Sequence, residues 1–191
     1  MTAESRANET ALVRSAQAGD RAAFGALYEQ YRPLVHGILL SHVDYHAAED
    51  LMQDTFVKAI QQLPTLRDAS SFGGWLTSIA RHIALDHHRR HRSETLFTDP
   101  ASVRRPDREA FVVLEIIQRL PEHYRETLVL RLVEGMTGPE IASRTGLAPD
   151  SVRVNLCRGM KLLREQLEST KGADARPPVK TTNPRVFGRR A

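Results

Sequence analysis

Cysteine is all but missing from this 191-residue chain: Cys157 stands alone, so no internal disulfide can form. That excludes the small disulfide-stapled scaffolds of secreted proteins and points to a reducing compartment. No apolar run approaches the ~18 residues that a membrane span requires. Met1 to Thr10 is polar and mixed in charge, without the apolar stretch of a secretory signal. A cytoplasmic protein with no membrane span is therefore expected. Catalytic signatures are lacking too. Gly73-Gly74 belongs to no G-x-x-x-x-G-K-[ST] loop, and neither G-x-S-x-G nor H-E-x-x-H occurs. No enzymatic activity and no cofactor are expected. Strand-like alternation is absent over any useful length, which leaves an all-α chain.

What is present is helical periodicity, in amounts suited to one medium domain or two small ones. From an N-cap at Asp20, apolar residues recur at Phe24, Leu27, Tyr28, Tyr31, Leu34, Val35, Ile38 and Leu39, with Pro33 expected to distort the helix locally. A second helix, from about Tyr45 to Leu63, has a core face of Ala48, Leu51, Met52, Thr55, Phe56, Ala59, Ile60 and Leu63. After a polar loop, a third buries Phe72, Trp75, Leu76, Ile79, Ala80 and Ile83 and ends in His87-His88-Arg89-Arg90-His91-Arg92. Residues 93–107 lose the periodicity and read as a flexible linker. A second helical block follows, from about Arg108 to Glu168. The net charge of +4 resides wholly in residues 172–191, so local clusters must make any case for nucleic acid.

The sharpest local pattern lies between Thr137 and Leu163. Thr137 and Glu140 have capping-box spacing, with Pro139 in the first turn. Gly146 is placed to close a short helix in the left-handed conformation, and Leu147 is expected to pack into the corner. A longer helix starts at Pro149-Asp150 and buries Val152, Leu156, Met160 and Leu163. Short helix, glycine turn and longer helix make a helix-turn-helix, whose second helix would enter a major groove. Its candidate DNA contacts are Ser151, Arg153, Val154, Asn155, Cys157, Arg158 and Lys161. A plain helical hairpin with a solvated basic face would show the same local pattern.

Three stretches, taken in order, resemble one family. Ala48-Glu49-Asp50-Leu51-Met52-Gln53-Asp54-Thr55-Phe56 is similar to the A-E-D-L-x-Q-E-T-F segment of extracytoplasmic-function RNA polymerase sigma factors. Phe72-Gly73-Gly74-Trp75-Leu76 through Ile79-Ala80-Arg81 to Asp86 and Arg89-Arg90 resembles the family's promoter-melting pattern. Leu120-Pro121, Arg125, Glu140-Ile141-Ala142 and Val152-Arg153 resemble its C-terminal domain.

The resemblance implies two small helical domains, 8–92 (region 2) and 108–168 (region 4), joined by the linker 93–107; the basic remainder, 169–191, has too little apolar material to fold alone and is expected to be a disordered tail. The resemblance also implies as partners core RNA polymerase (the coiled coil of the largest subunit, and the flap), promoter DNA and an anti-sigma factor. The stripe Asp50, Gln53, Asp54 and Val57 would dock on the polymerase. Thr65, Arg67, Asp68, Ser70 and Ser71 would receive a flipped base of the −10 element. Arg81, His82, Asp86, Arg89 and Arg90 would lie along the −10 DNA, and the helix-turn-helix would read the −35 element.

Three departures are visible. His82 replaces an Asn, Val154-Asn155 replaces Ser-Arg, and Gly159-Met160 replaces an Ala-Arg type pair, with mid-helix Gly costing ~1 kcal/mol. A stand-alone helix-turn-helix regulator would share the second block but would have no use for the Asp50 stripe. The pairs His42/His46 and His87/His91 have metal-ligand spacing, but no cysteine accompanies them and arginines flank the second; no metal is expected. Cys157 beside Arg158 would suit a redox switch only if its thiol were acidified. The tail is either a phosphate-contacting arm or a solvated end. Truncation after Lys171 separates these, since only loss of an arm flattens the salt dependence of DNA binding.

Overall fold

The computed structural model describes residues 3–92 and 108–174, and every regular element among them is helical. The expected linker 93–107 and residues 175–191 of the expected tail lie outside the described residues. The α-helices in chain order are α1 (Ala3–Gln17), α2 (Arg21–Leu40), α3 (Tyr45–Gln62), α4 (Phe72–Arg92), α5 (Arg108–Gln118), α6 (Glu122–Leu132), α7 (Gly138–Thr145) and α8 (Pro149–Asp174). Two 3-10 turns, Leu63–Thr65 and Ala69–Ser71, form the corner between α3 and α4.

Local chemistry explains most boundaries. Asp20 caps α2 by accepting from the amides of Ala22 and Ala23, and Asp44 caps α3 by accepting from Ala47. α2 continues through Pro33 and buries Leu27, Tyr31, Leu34, Val35, Ile38 and Leu39. The polar composition of the first residues does not announce α1. Its buried Glu9 is held by the Tyr31 hydroxyl at 2.5 Å and by Gln30 Nε2 at 3.0 Å, while Val13 enters the core. Burial, and then the bond to Glu9, pushes the Tyr31 hydroxyl far above the ordinary phenol range, so it stays a donor.

In the second block α6 is the central element. Five consecutive residues, Glu126 to Leu130, are buried. With 3.6 residues per turn no helix can place five consecutive residues on one face. α6 is therefore covered all round, by α5, α7 and α8 from its own block and by α2 from the other.

α7 and α8 form the expected helix-turn-helix. The capping box is complete: the Glu140 amide donates to Thr137 Oγ1, and the Thr137 amide donates to Glu140 Oε2 at 2.8 Å. Gly146 ends α7 at φ 77°, the left-handed conformation that lacks a steric penalty only for glycine. Leu147 does not pack into the corner as its apolarity suggests; it is 39% exposed. α8 runs on to Asp174, past the expected end near Glu168 and into the stretch read as tail.

Gly159 also has a reason that helix propensity conceals. A Cβ there would lie 3.0 Å from Leu128 Cδ1 and 3.3 Å from Tyr124 Cβ, so its absence lets α8 press against α6. Gly159→Ala is therefore expected not to deliver the ~1 kcal/mol that propensity promises. Overpacking, typically about 1–3 kcal/mol, outweighs it, and the urea midpoint should fall.

Candidate nucleic-acid interface

The acidic stripe on α3 lies where helical spacing puts it. Asp50, Gln53 and Asp54 are all exposed, and Val57 is 48% exposed beside them. Ile60 is not the core residue its spacing suggested: at 46% exposure it extends the stripe. Behind Val57 and Ile60, a shallow groove is floored by Phe24, Tyr28, Met52 and Phe56, with the Tyr28 and Phe56 rings 4.5 Å apart. Carboxylates rimming an apolar trough suit a partner helix that carries basic and apolar residues in turn.

The corner between α3 and α4 is a preformed loop. Asp68 accepts from the Ser70 amide at 2.9 Å and the Ser70 hydroxyl at 2.8 Å. The hydroxyl bond, and then the amide bond, hold its carboxyl below the usual range. Ser71 donates to the Asp68 carbonyl and Thr65 to the Gln62 carbonyl, each at 2.7 Å. Their donors are thus occupied within the loop, leaving lone pairs to accept. From beneath, Gln17 of α1 donates to the carbonyls of Leu63 at 3.1 Å and Leu66 at 2.7 Å. Arg67 stands exposed at the tip. The support from Gln17 was not legible beforehand, because nothing in the local pattern links residue 17 to residue 66.

Along α4, His82, Asp86, Arg89 and Arg90 are exposed. His82 Nδ1 lies 2.7 Å from the Ser78 carbonyl, which only accepts, so that nitrogen carries a proton. On α8, Ser151, Arg153, Val154, Cys157, Arg158 and Lys161 are exposed and Asn155 is half-buried. Arg153 lies 3.6 Å from Asp150, an exposed pair that water screens.

Arg81 is placed differently from its helix neighbours. It turns to the other block, where its Nε and Nη2 each donate at 2.8 Å to the two oxygens of buried Glu126. His42 completes the cluster, with Nε2 3.2 Å from Glu126 Oε1 and Nδ1 3.4 Å from Arg125 Nη2. A guanidinium only donates, so Nδ1 accepts and the proton on Nε2 points at Glu126. Burial alone would raise the Glu126 carboxyl; the bonds from Arg81 and His42 outweigh it and hold it below the ordinary value. His42, Glu122 and Glu126 bring ligand atoms within 4.8 Å of one another. The cation set among them is Arg81 itself, with its Nε 3.3 Å from Glu122. His91 of the other candidate metal pair has a side chain outside the described residues.

Similarity to known proteins runs along the same lines. The sigma-70 region 2 model matches residues 27–94, and the sigma-70 region 4 model matches 110–163. The RNA polymerase sigma factor CarQ of Myxococcus xanthus is 34% identical over 161 residues, covering 78% of this chain and 91% of CarQ. The ECF sigma factor ShbA of Streptomyces griseus is 30% identical over 180 residues, covering 83% and 94%. Some relatives are longer: the chain spans 64% of BldN of Streptomyces coelicolor and 42% of the probable sigma factor RfaY of Xanthomonas campestris. The structure of CnrH in complex with the cytosolic domain of CnrY matches with a TM-score of 0.60 at 26% identity, over 84% of this chain and 97% of that one. An all-helical frame carrying region 2 and region 4 in order defines the sigma-70 class. Within it, this chain belongs to the extracytoplasmic-function RNA polymerase sigma factors. Among the described residues, no helix is long and apolar enough to cross a membrane.

The lowered Glu126 carboxyl sets a pH dependence. Its contribution is complete above the ordinary glutamate value of 4.5 and fades as pH falls through the lower folded value. The urea midpoint should therefore hold down to about pH 5 and decline as pH is taken from there to about 3, and Glu126→Gln, which lacks that titration, should decline less steeply.

Proposed function

We propose that this protein is a transcription initiation factor, not an enzyme, that joins core RNA polymerase in the cytoplasm and directs it to promoters. Its first block docks on the coiled coil of the largest subunit through Asp50, Gln53, Asp54 and Val57, extended by Ile60. The loop of Thr65, Arg67, Asp68, Ser70 and Ser71 takes the −10 base, and His82, Asp86, Arg89 and Arg90 follow the adjacent DNA. The α8 face from Ser151 to Lys161 reads the −35 element. Regulation by an anti-sigma factor fits the family, and CnrH was solved with a protein partner.

The observation that carries this reading is the coexistence, in one chain, of a capped helix-turn-helix and an exposed acidic stripe over an apolar groove. A DNA-binding regulator that works alone needs only the first.

Mechanistically the factor lends sequence preference to an enzyme that lacks it. Each block binds weakly alone, and the covalent connection makes the second contact intramolecular. The scarcity of aromatic side chains on α4 outside the core, where Phe72 is 1% exposed, leaves few stacking platforms for melted bases. Melting then leans on a close promoter match, and a promoter-mutation series should show little tolerance.

Run-off transcription with purified core polymerase on genomic fragments tests the whole. Discrete transcripts that depend on this protein are expected. Asp50→Lys with Asp54→Lys should reduce them by about tenfold or more, since like charges placed against a basic partner helix cost several kcal/mol. Tight duplex binding that ignores core polymerase, with no transcripts, would instead identify a stand-alone regulator.

A further inference from the structure

We propose that Val154 is a specificity-determining residue: on α8 it meets the C5 methyl group of a thymine in the upstream promoter element. This deepens the preceding reading and rests on it, because it requires that α8 lie in a major groove of promoter DNA.

The buried residues of α8 fix which side faces outward. Val152, Gly159 and Leu163 are buried, with Leu156 and Met160 half-buried beside them. Successive residues of a helix are about 100° apart around its axis. Val154 is two positions from Val152, roughly 200° around, so it stands opposite the buried stripe. Asp150, Ser151, Cys157, Arg158 and Lys161 share the outward side, each within about 60° of Val154. Arg153 and Asn155 sit about 100° to either side, and Asn155 is half-buried.

Val154 is therefore an apolar side chain, 37% exposed, at the crest of a polar face. It also belongs to the second turn of α8, and it is the N-terminal part of a recognition helix that approaches base edges. An isopropyl group has neither donor nor acceptor, so it cannot hydrogen-bond to any base. The apolar group that base pairs present in the major groove is the thymine methyl. Valine in a helix is held largely to one rotamer, so its methyl groups are in position before DNA arrives. Cys157, exposed and three residues further on, adds a small polarizable surface beside the same spot.

The charged neighbours anchor the helix. Asp150 repels a phosphate, which leaves Arg158 and Lys161 for the backbone on the outward side, with Arg153 on the flank. Asp150 with Arg153 at 3.6 Å and Lys161 with Glu165 at 4.0 Å are exposed pairs of little strength in water. Phosphate contacts fix the register of a protein on a duplex but carry no sequence information; contacts to base edges do. Whether Arg158 takes a phosphate or a guanine, the base pair beneath Val154 is chosen by an apolar contact.

The test uses the full chain bound to core RNA polymerase. This holoenzyme selects duplexes from a library randomised across the upstream element. Each thymine of the selected element is then replaced in turn by deoxyuridine, which removes only the methyl group. One replacement is expected to weaken binding about fourfold, the worth of burying one methyl group. At that position, cytosine methylated at C5 should recover part of what plain cytosine loses. Val154→Ala puts the strongest helix former on an exposed face, so it should fold, bind the parent duplex more weakly and bind the thymine and deoxyuridine duplexes equally. Val154→Ile should keep the discrimination. The salt dependence of Val154→Ala should match the parent's, because no phosphate contact is lost. Equal binding of every deoxyuridine duplex would overturn the assignment of Val154 alone. So would a methyl dependence that Val154→Ala leaves intact. Failure of the holoenzyme to select any duplex would overturn the sigma-factor reading as well.

Discussion

Glu126 is the point on which the arrangement of the two blocks turns. It is a carboxylate on a helix buried from every side, and burial of an unpaired charge is prohibitive. It is tolerable because the partners come from elsewhere: a bidentate guanidinium from α4 and an imidazole from the end of α2. Those three side chains bring together the turn after α2, α4 and the central helix of the second block. The same cluster explains why Arg81, which looks like one more phosphate ligand on α4, differs in environment from the exposed Arg89 and Arg90, little more than two helical turns further along.

Glycine sets how closely these surfaces meet. Gly159 lets α8 press on α6 within the helix-turn-helix block, while Gly37 and Gly73 let the blocks press on each other. Gly146, unlike these three, is a glycine for its backbone angle. In the other three, a missing methyl group is a packing feature. Each would appear as a defect if helix propensity alone were considered.

The exposed faces proposed as binding surfaces were largely legible as exposed faces in advance, because they depend on spacing along single helices. Asp50, Gln53, Asp54 and Val57 share a face at three- and four-residue intervals, and the structure leaves that face open. The helix-turn-helix was legible to the level of its cap and its turn, since Thr137, Glu140 and Gly146 act on neighbours in sequence. Misjudged residues were those whose environment is set by distant ones. Ile60 repeats on the core face of α3 yet finds no helix to cover it, and Leu147 is apolar yet remains at the surface. α1 escaped notice because its burial depends on Tyr31 and Gln30, whose sequence neighbours give no sign of Glu9.

Local periodicity, caps and turn residues, then, determined from sequence alone that this chain is helical, that it carries a helix-turn-helix, and which motifs place it among sigma factors. These interactions span a turn or two of chain, so their energetics are written in adjacent letters. The tertiary structure alone decided how the blocks meet, why Glu126 can be buried, and where Arg81 points. Those outcomes depend on atoms separated by 45 to 114 residues in the chain, as in Arg81 with Glu126 and Arg144 with Gln30. No one-dimensional pattern encodes such a distance; it is fixed only when the helices pack.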